Sequence, residues 1–273
     1  MTQESKDNKG FSWRKLGIIM SYILLLGLVI TLSAFSNQHQ RQLKCWKIEV
    51  KVEQSKNGEG MIAEEEIQQF CNEASNGVLG KSAAELDIPG IRRSLMNLTF
   101  LKSVEVYPTL DGRCRVEVQV RNPIARIMDS TGVSYYMDEE GYVMPLKEYF
   151  VTDLPLFVGE FRAPVLTEKV GQDKLTTVQQ KEILEMAQII QESEVWNAQV
   201  DHFYFSARKG WMLIPRVGRN VIRIETANHF KKKMENLFVF YSKAVPHIDL
   251  DSYDTLDTRF INQIVGIKRN ITL

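Results

Sequence analysis

The longest uninterrupted hydrophobic stretch of the chain runs from Leu16 to Phe35, twenty residues without a charge. At a rise of 1.5 Å per residue an α-helix of that length spans about 30 Å, the thickness of a bilayer core. It has no polar face, which argues against a buried helix of a soluble domain. Arg14 and Lys15 stand directly before it and Lys6 and Lys9 further upstream, which predicts a cytoplasmic N-terminus. Arg41, Lys44 and Lys47 follow at a greater distance and soften that contrast. Ala34-Phe35-Ser36 offers a small-x-small cleavage site, but the apolar run exceeds the usual 7–15 residues of a leader core, which favours a retained anchor.

From Cys45 the periodicity changes to two. Trp46, Ile48, Val50 and Val52 alternate with Lys47, Glu49 and Lys51, a strand pattern that Asn57-Gly58 and Gly60 end. Met61 to Ala74 predicts a helix with Ile67, Phe70, Cys71 and Ala74 on one face. A second helix is predicted from about Asp87 to Leu98, with Ile91, Leu95 and Leu98 in line. Two alternating strands follow, through Val104 and Val106 and then Val116, Val118 and Val120, joined at an Asp111-Gly112 turn. The order is β-α-α-β-β.

Pro123 closes that unit, and the remainder of the chain is richer in strands. Val133–Met137 and Tyr142–Met144 flank Asp138-Glu139-Glu140-Gly141, a hairpin signal in which the acids read as ordinary exposed turn residues. Leu154 to Gly159 is an apolar run. A helix is predicted from about Thr176 to Glu194, opened by a capping box of Thr176 and Gln179 and buried through Ile183, Ala187 and Ile190. Strands are predicted at Val200–Ala207, Trp211–Val217 and Val221–Thr226. A helix then carries Phe230, Met234, Leu237, Phe238 and Tyr241, and one last strand runs from about Tyr253 to Lys268. The fold class is α+β, two abutting units behind one transmembrane helix.

Composition narrows the function. The chain has 273 residues, with 34 Lys and Arg against 34 Asp and Glu. A net charge of zero argues against nucleic acid as a partner, because neutralising phosphates takes an excess of cations. Cys45, Cys71 and Cys114 are too few and too far apart for a zinc module or a disulfide scaffold, and they read as small buried hydrophobes.

No catalytic constellation is evident. His39, His202, His229 and His247 have no His or Cys partner at metal-ligand spacing, and there is no Gly-x-Ser-x-Gly elbow and no Gly-rich phosphate loop. Glu64-Glu65-Glu66 opens a predicted helix, where carboxylates favour the positive end of the dipole. Asp249-Leu250-Asp251 is similar to the metal-binding Asp-x-Asp of some type II membrane glycosyltransferases, but a lone pair of this kind arises easily by chance. No enzyme activity, metal, cofactor or small-molecule substrate is expected.

The order of weak motifs resembles that of FtsQ/DivIB bacterial cell-division proteins. Asp87 to Val106 is similar to the family's helix-to-strand passage, and Tyr107-Pro108 stands where the family usually has Trp-Pro. Val116 to Ala125 resembles the strand and Glu-x-x-Pro-x-Ala stretch joining two domains, with Arg121 or Asn122 in place of Glu. Tyr136 to Gly141 resembles the Asp-x-x-Gly hairpin, Leu154 to Gly159 the Leu-Pro-x-x-x-Gly run, and Leu256 to Phe260 the Ile-Asp-Leu-Arg-Tyr strand. The style resembles that of Bacteroidetes-like members.

The resemblance implies a cytoplasmic tail (1–15), a span (16–35), a POTRA domain (44–121), a β domain (122–268) and a short end (269–273). It further implies a non-enzymatic scaffold of the division septum, a single-pass inner-membrane protein with its bulk in the periplasm. Its partners would be FtsB- and FtsL-type proteins, one adding a strand beside the last strand of the β domain. The contacting positions here would be Arg259, Phe260, Asn262 and Ile264. Both faces of that strand carry apolar residues, so the pattern alone leaves open which is free. Two rivals stand beside this reading: a membrane-anchored glycosyltransferase using Asp249 and Asp251, and a POTRA-bearing outer-membrane assembly or secretion protein, which needs a barrel of many short strands.

Overall fold

A computed structural model describes residues 20–31, 44–74, 77–82, 84–160 and 177–269. Residues 20–31 form helix α1, whose side chains are all exposed. The expected span 16–35 extends past both ends of this helix into residues outside the described ones. Among the described residues no helix is long and apolar enough to cross a membrane.

The first unit is β1 (Lys47–Glu53), α2 (Glu64–Glu73), α3 (Ile88–Met96), β2 (Leu101–Pro108) and β3 (Arg113–Val120), the expected β-α-α-β-β order. The sheet runs β1-β3-β2, with β1 parallel and β2 antiparallel to β3. The parallel pair requires a crossover, which the two helices supply. Strict alternation buries Cys114, Val116, Val118 and Val120 of β3 beneath the helices. The Asp87 side chain accepts from the Gly90 N–H at 3.0 Å and starts α3, with Pro89 in its first turn. The three cysteines are buried and free. Burial, with Cys114 nearby, pushes the Cys71 thiol up to about 12, so it packs as an apolar group and is unreactive.

The second unit is one mixed sheet built from β4 (Pro123–Met128), β5 (Ser134–Asp138), β6 (Val143–Pro145), β7 (Leu156–Gly159), β8 (Val200–Ser206), β9 (Gly210–Pro215), β10 (Val221–Glu225), β11 (Tyr253–Asp257) and β12 (Val265–Lys268). Its order is β12-β11-β10-β9-β8-β7-β4-β5-β6. An open sheet with two ends is not the closed barrel that the outer-membrane rival needs. Helices α4 (Val178–Gln191), α5 (Glu194–Gln199) and α6 (Phe230–Lys243) accompany it. Phe157 stacks on Phe203 at 4.6 Å and Trp211 meets Phe157 edge-on at 5.8 Å. The Trp211 indole N–H donates to Glu182 (2.9 Å), and the same carboxylate accepts from the Ala227 N–H (3.1 Å), pinning α4 to the sheet. Lys233 is buried but donates to Ile224 O and Thr226 O, each at 2.9 Å. Gly210 takes φ +70°, and a Cβ there would collide with Glu225 O, so only glycine closes this approach.

Four expectations need correction. The capping box forms one residue later, from Thr177 and Gln180, because the tandem Thr-Thr and Gln-Gln allow either register and only Gln180 is buried against the sheet. The single helix to Glu194 is two, since Ser193 accepts from the Trp196 N–H and restarts the chain as α5. Asp138 is buried, not an exposed turn acid. The last strand, read as continuous from Tyr253 to Lys268, is the antiparallel pair β11 and β12 with a reversal between them.

The two units share a core. Tyr136, Met144 and Phe150, which belong to the second unit in sequence, pack with the buried residues of the first. At this junction Arg121 Nη1 donates to Asp138 Oδ2 at 2.8 Å, with both side chains buried, and the Tyr142 ring covers the guanidinium at 4.1 Å. Asp138 also accepts from the N–H groups of Glu140 (3.0 Å) and Tyr142 (2.7 Å).

A candidate partner-docking edge

A sheet with two ends has two outer strands. At one end β6 is three residues long, and Val143 and Met144 are buried near the junction. At the other, all four residues of β12 are exposed, including the apolar side chains of Val265 and Ile267. The Arg269 N–H donates to Ser252 O at 2.9 Å, toward β11. Backbone donors alternate sides along a strand, so Ile267 also faces β11 while the N–H groups of Gly266 and Lys268 point outward. The Tyr253 ring lies across Gly266, where a Cβ would come within 2.5 Å of it.

Side chains build the reversal from β11 to β12. Asp257 is buried at the end of β11 and accepts from the Arg259 N–H (3.1 Å), its Nε (2.9 Å) and its Nη2 (2.7 Å). Burial pushes the Asp257 carboxyl up, but the Arg259 hydrogen bonds and charge outweigh it and hold the group below the usual carboxylate range. Thr258 donates through both its N–H (3.1 Å) and its hydroxyl (2.9 Å) to Arg223 O on β10. The Asn236 amide of α6 donates to Ile261 O.

The four expected contact residues therefore sit in this turn and not along a strand. Arg259 is engaged with Asp257 and, at 3.6 Å, with Glu225. Phe260 and Asn262 are exposed, while Ile264 is half-buried against the core of the second unit. The turn brings them together at one end of β12. The reading from sequence included Val265 to Lys268 in its last strand but named no contact residue there. The signal for this edge was the short alternation of Val265 and Ile267 with Gly266 and Lys268.

Asp249 and Asp251, on which the glycosyltransferase reading rests, lie at a 3-10 turn. Asp249 caps a 3-10 turn by accepting from the Asp251 N–H at 3.2 Å. Among the described residues no group of three or more His, Cys, Asp or Glu is placed to hold a metal ion.

Two comparisons bear on this arrangement. Residues 43–119, which hold the three-stranded unit, match the POTRA-like domain family. Residues 122–267, the sheet that ends in β12, match the family described as FtsQ/DivIB, C-terminal related, over more than half of the chain. The chain belongs to the FtsQ/DivIB family. A curated relative, the cell division protein FtsQ of Rhodothermus marinus, is 32% identical over 172 residues, which covers 60% of this chain. The match spans 58% of the length of that relative. Within the FtsQ/DivIB family match, the end of β11, the turn and most of β12 are included, so the exposed edge lies inside the segment that carries the likeness.

Proposed function

We propose that this chain is a non-enzymatic cell-division scaffold of the inner membrane, which binds other membrane-anchored division proteins through its exported part. Residues 16–35 anchor it, with 1–15 in the cytoplasm. The POTRA domain (44–121) and β domain (122–268) project into the periplasm at the septum. Membership of the FtsQ/DivIB family supports the division role. The docking mode is strand addition at β12 by an FtsB- or FtsL-type partner, and the observation that carries it is that β12 is outermost and wholly exposed. Its outward N–H and C=O groups would supply the pairing, and Val265, Ile267 and the turn residues Arg259, Phe260, Asn262 and Ile264 the selectivity.

The test is capture of purified FtsB- and FtsL-type exported domains by the full-length chain in detergent. Lys268→Pro removes an outward donor that the chain's own sheet does not use, and Lys268→Ala removes only the side chain. Wild type and Lys268→Ala should bind and Lys268→Pro should not, with unchanged circular dichroism. Phe260→Lys should weaken capture through the turn. Equal capture by Lys268→Pro would exclude strand addition at β12, and absence of capture by wild type would remove the partner assignment altogether.

A further inference from the structure

At the end of the POTRA sheet where β1 begins, three large apolar side chains face solvent: Trp46 (64% exposed), Leu79 (54%) and Leu110 (72%). Backbone hydrogen bonds bring them together. The Cys45 N–H donates to Lys81 O and Cys45 O accepts from the Gly80 N–H, both at 2.7 Å, which sets the turn carrying Leu79 against the start of β1. The Trp46 N–H donates to Gly112 O at 3.0 Å and its indole N–H to Asp111 O at 2.9 Å, which sets the turn carrying Leu110 on the other side. A Cβ at Gly112 would stand 3.1 Å from both the indole ring and Lys44 O, so the turn closes on the tryptophan because residue 112 is glycine at φ +79°. The one polar atom of the indole is thus satisfied inward while its apolar ring is held outward.

A fixed, exposed tryptophan with two leucines is unfavourable in water and suits the boundary between lipid headgroups and acyl chains. The surrounding charge agrees. Lys44 and Lys47, both exposed, stand on either side of Trp46 in the chain. Of the nearby carboxylates, Asp111 is paired with Arg113, whose Nε lies at 2.6 Å, and Glu85, which accepts from the Ser82 N–H at 2.8 Å, offsets part of the Lys44 charge. Chain length agrees as well. Lys44 follows Phe35 by nine residues, a tether of at most about 30 Å even when fully extended. The patch is therefore carried on the part of the domain that the chain holds next to the bilayer.

We infer that this end of the POTRA domain lies on the membrane surface, with Trp46, Leu79 and Leu110 at the acyl boundary and Lys44 and Lys47 on anionic lipid headgroups. The inference rests on the proposed anchor at 16–35, and tethering keeps the local concentration high enough for a small patch to stay docked. It would fix the tilt of the POTRA domain, and with it the height at which β12 stands above the bilayer.

The test uses the full chain reconstituted into vesicles of phosphatidylethanolamine and phosphatidylglycerol. The native cysteines are buried, so a nitroxide can be placed selectively at Leu110→Cys or, as control, at Val217→Cys on an exposed position of the β domain. The expected result is a ratio of oxygen to nickel-chelate collisions severalfold higher at residue 110 than at 217, falling to the control value in the Lys44→Glu/Lys47→Glu variant. A chain that floats with the vesicles but shows the same ratio at both positions overturns the surface contact alone. A ratio that survives the double charge reversal overturns the assignment to anionic headgroups. A chain that does not float removes the anchor and the contact together.

Discussion

Two arginine–aspartate pairs hold two reversals of this chain, and burial separates them. At the junction Arg121 and Asp138 meet at 2.8 Å with side chains 5% and 2% exposed. At the turn from β11 to β12 Arg259 and Asp257 meet at 2.7 Å, with Asp257 buried but Arg259 one-third exposed. In each case the aspartate also accepts backbone N–H groups and so shapes a turn. A buried pair cannot lose one member without leaving a charge stranded, whereas an arginine one-third exposed, as Arg259 is, can exchange its partner for water. The same chemistry is thus an obligatory joint between two units at one site and a local clip at the other. The first makes a rigid junction, and the second holds only the turn between β11 and β12.

The largest expected effect is at the junction. Arg121→Ala strands the Asp138 carboxylate and is expected to cost about 3–5 kcal/mol, measured by urea unfolding followed through tryptophan fluorescence. Arg121→Met combined with Asp138→Asn should recover most of that loss, since the Asn oxygen still accepts from Glu140 and Tyr142. A loss of under about 1 kcal/mol for the single variant would put the junction in the class of surface pairs and dissolve the contrast.

The effect at the edge is smaller and confined. Asp257→Asn is expected to cost about 1–2 kcal/mol, from its charge-assisted hydrogen bonds to Arg259. In hydrogen exchange the loss of protection should be limited to residues 253–268. Loss that spread through β8 and β9 would show that the clip is not local.

The smallest effect is the response to acid. Against the opposing pull of burial, Arg259 holds the Asp257 carboxyl below its ordinary range. Its contribution is therefore complete above the unfolded value of about 4 and fades as pH falls through the folded one. Amide protection in β11 and β12, corrected for intrinsic exchange, should decline over that acid range in wild type and stay flat in Asp257→Asn.

The POTRA elements were legible because local signals agree there: period-two alternation in β1 and β3, Ile91, Leu95 and Leu98 in line on α3, and Asp111-Gly112 at the turn. The junction was not. Asp138 sits in a stretch of three acids, and nothing in a one-dimensional pattern pairs it with Arg121, seventeen positions earlier. The edge turn was hidden for a different reason. Residues 258–264 contain neither glycine nor proline, and beside the local clip of Arg259 on Asp257 the reversal depends on hydrogen bonds from Thr258 to Arg223 O and from Asn236 to Ile261 O, between residues distant in the chain. Apolar residues on both faces then made two strands look like one. The order of motifs was nonetheless enough to reach the family, and the four expected contact residues lie in the turn that leads into β12.

β10 and β11 run parallel side by side, and the chain passes between them through α6. That has a kinetic consequence. β11 has no place to pair until α6 has crossed and brought the chain back, and its register on β10 is only three residue pairs long, from Val221↔Thr255 to Arg223↔Asp257. β12 in turn has no template until β11 has docked. Closing such a non-local pair is slow compared with forming a hairpin. The outer edge is thus expected to be the last part of the sheet to assemble, so that β12 is offered to solvent only once the rest of the sheet is in place.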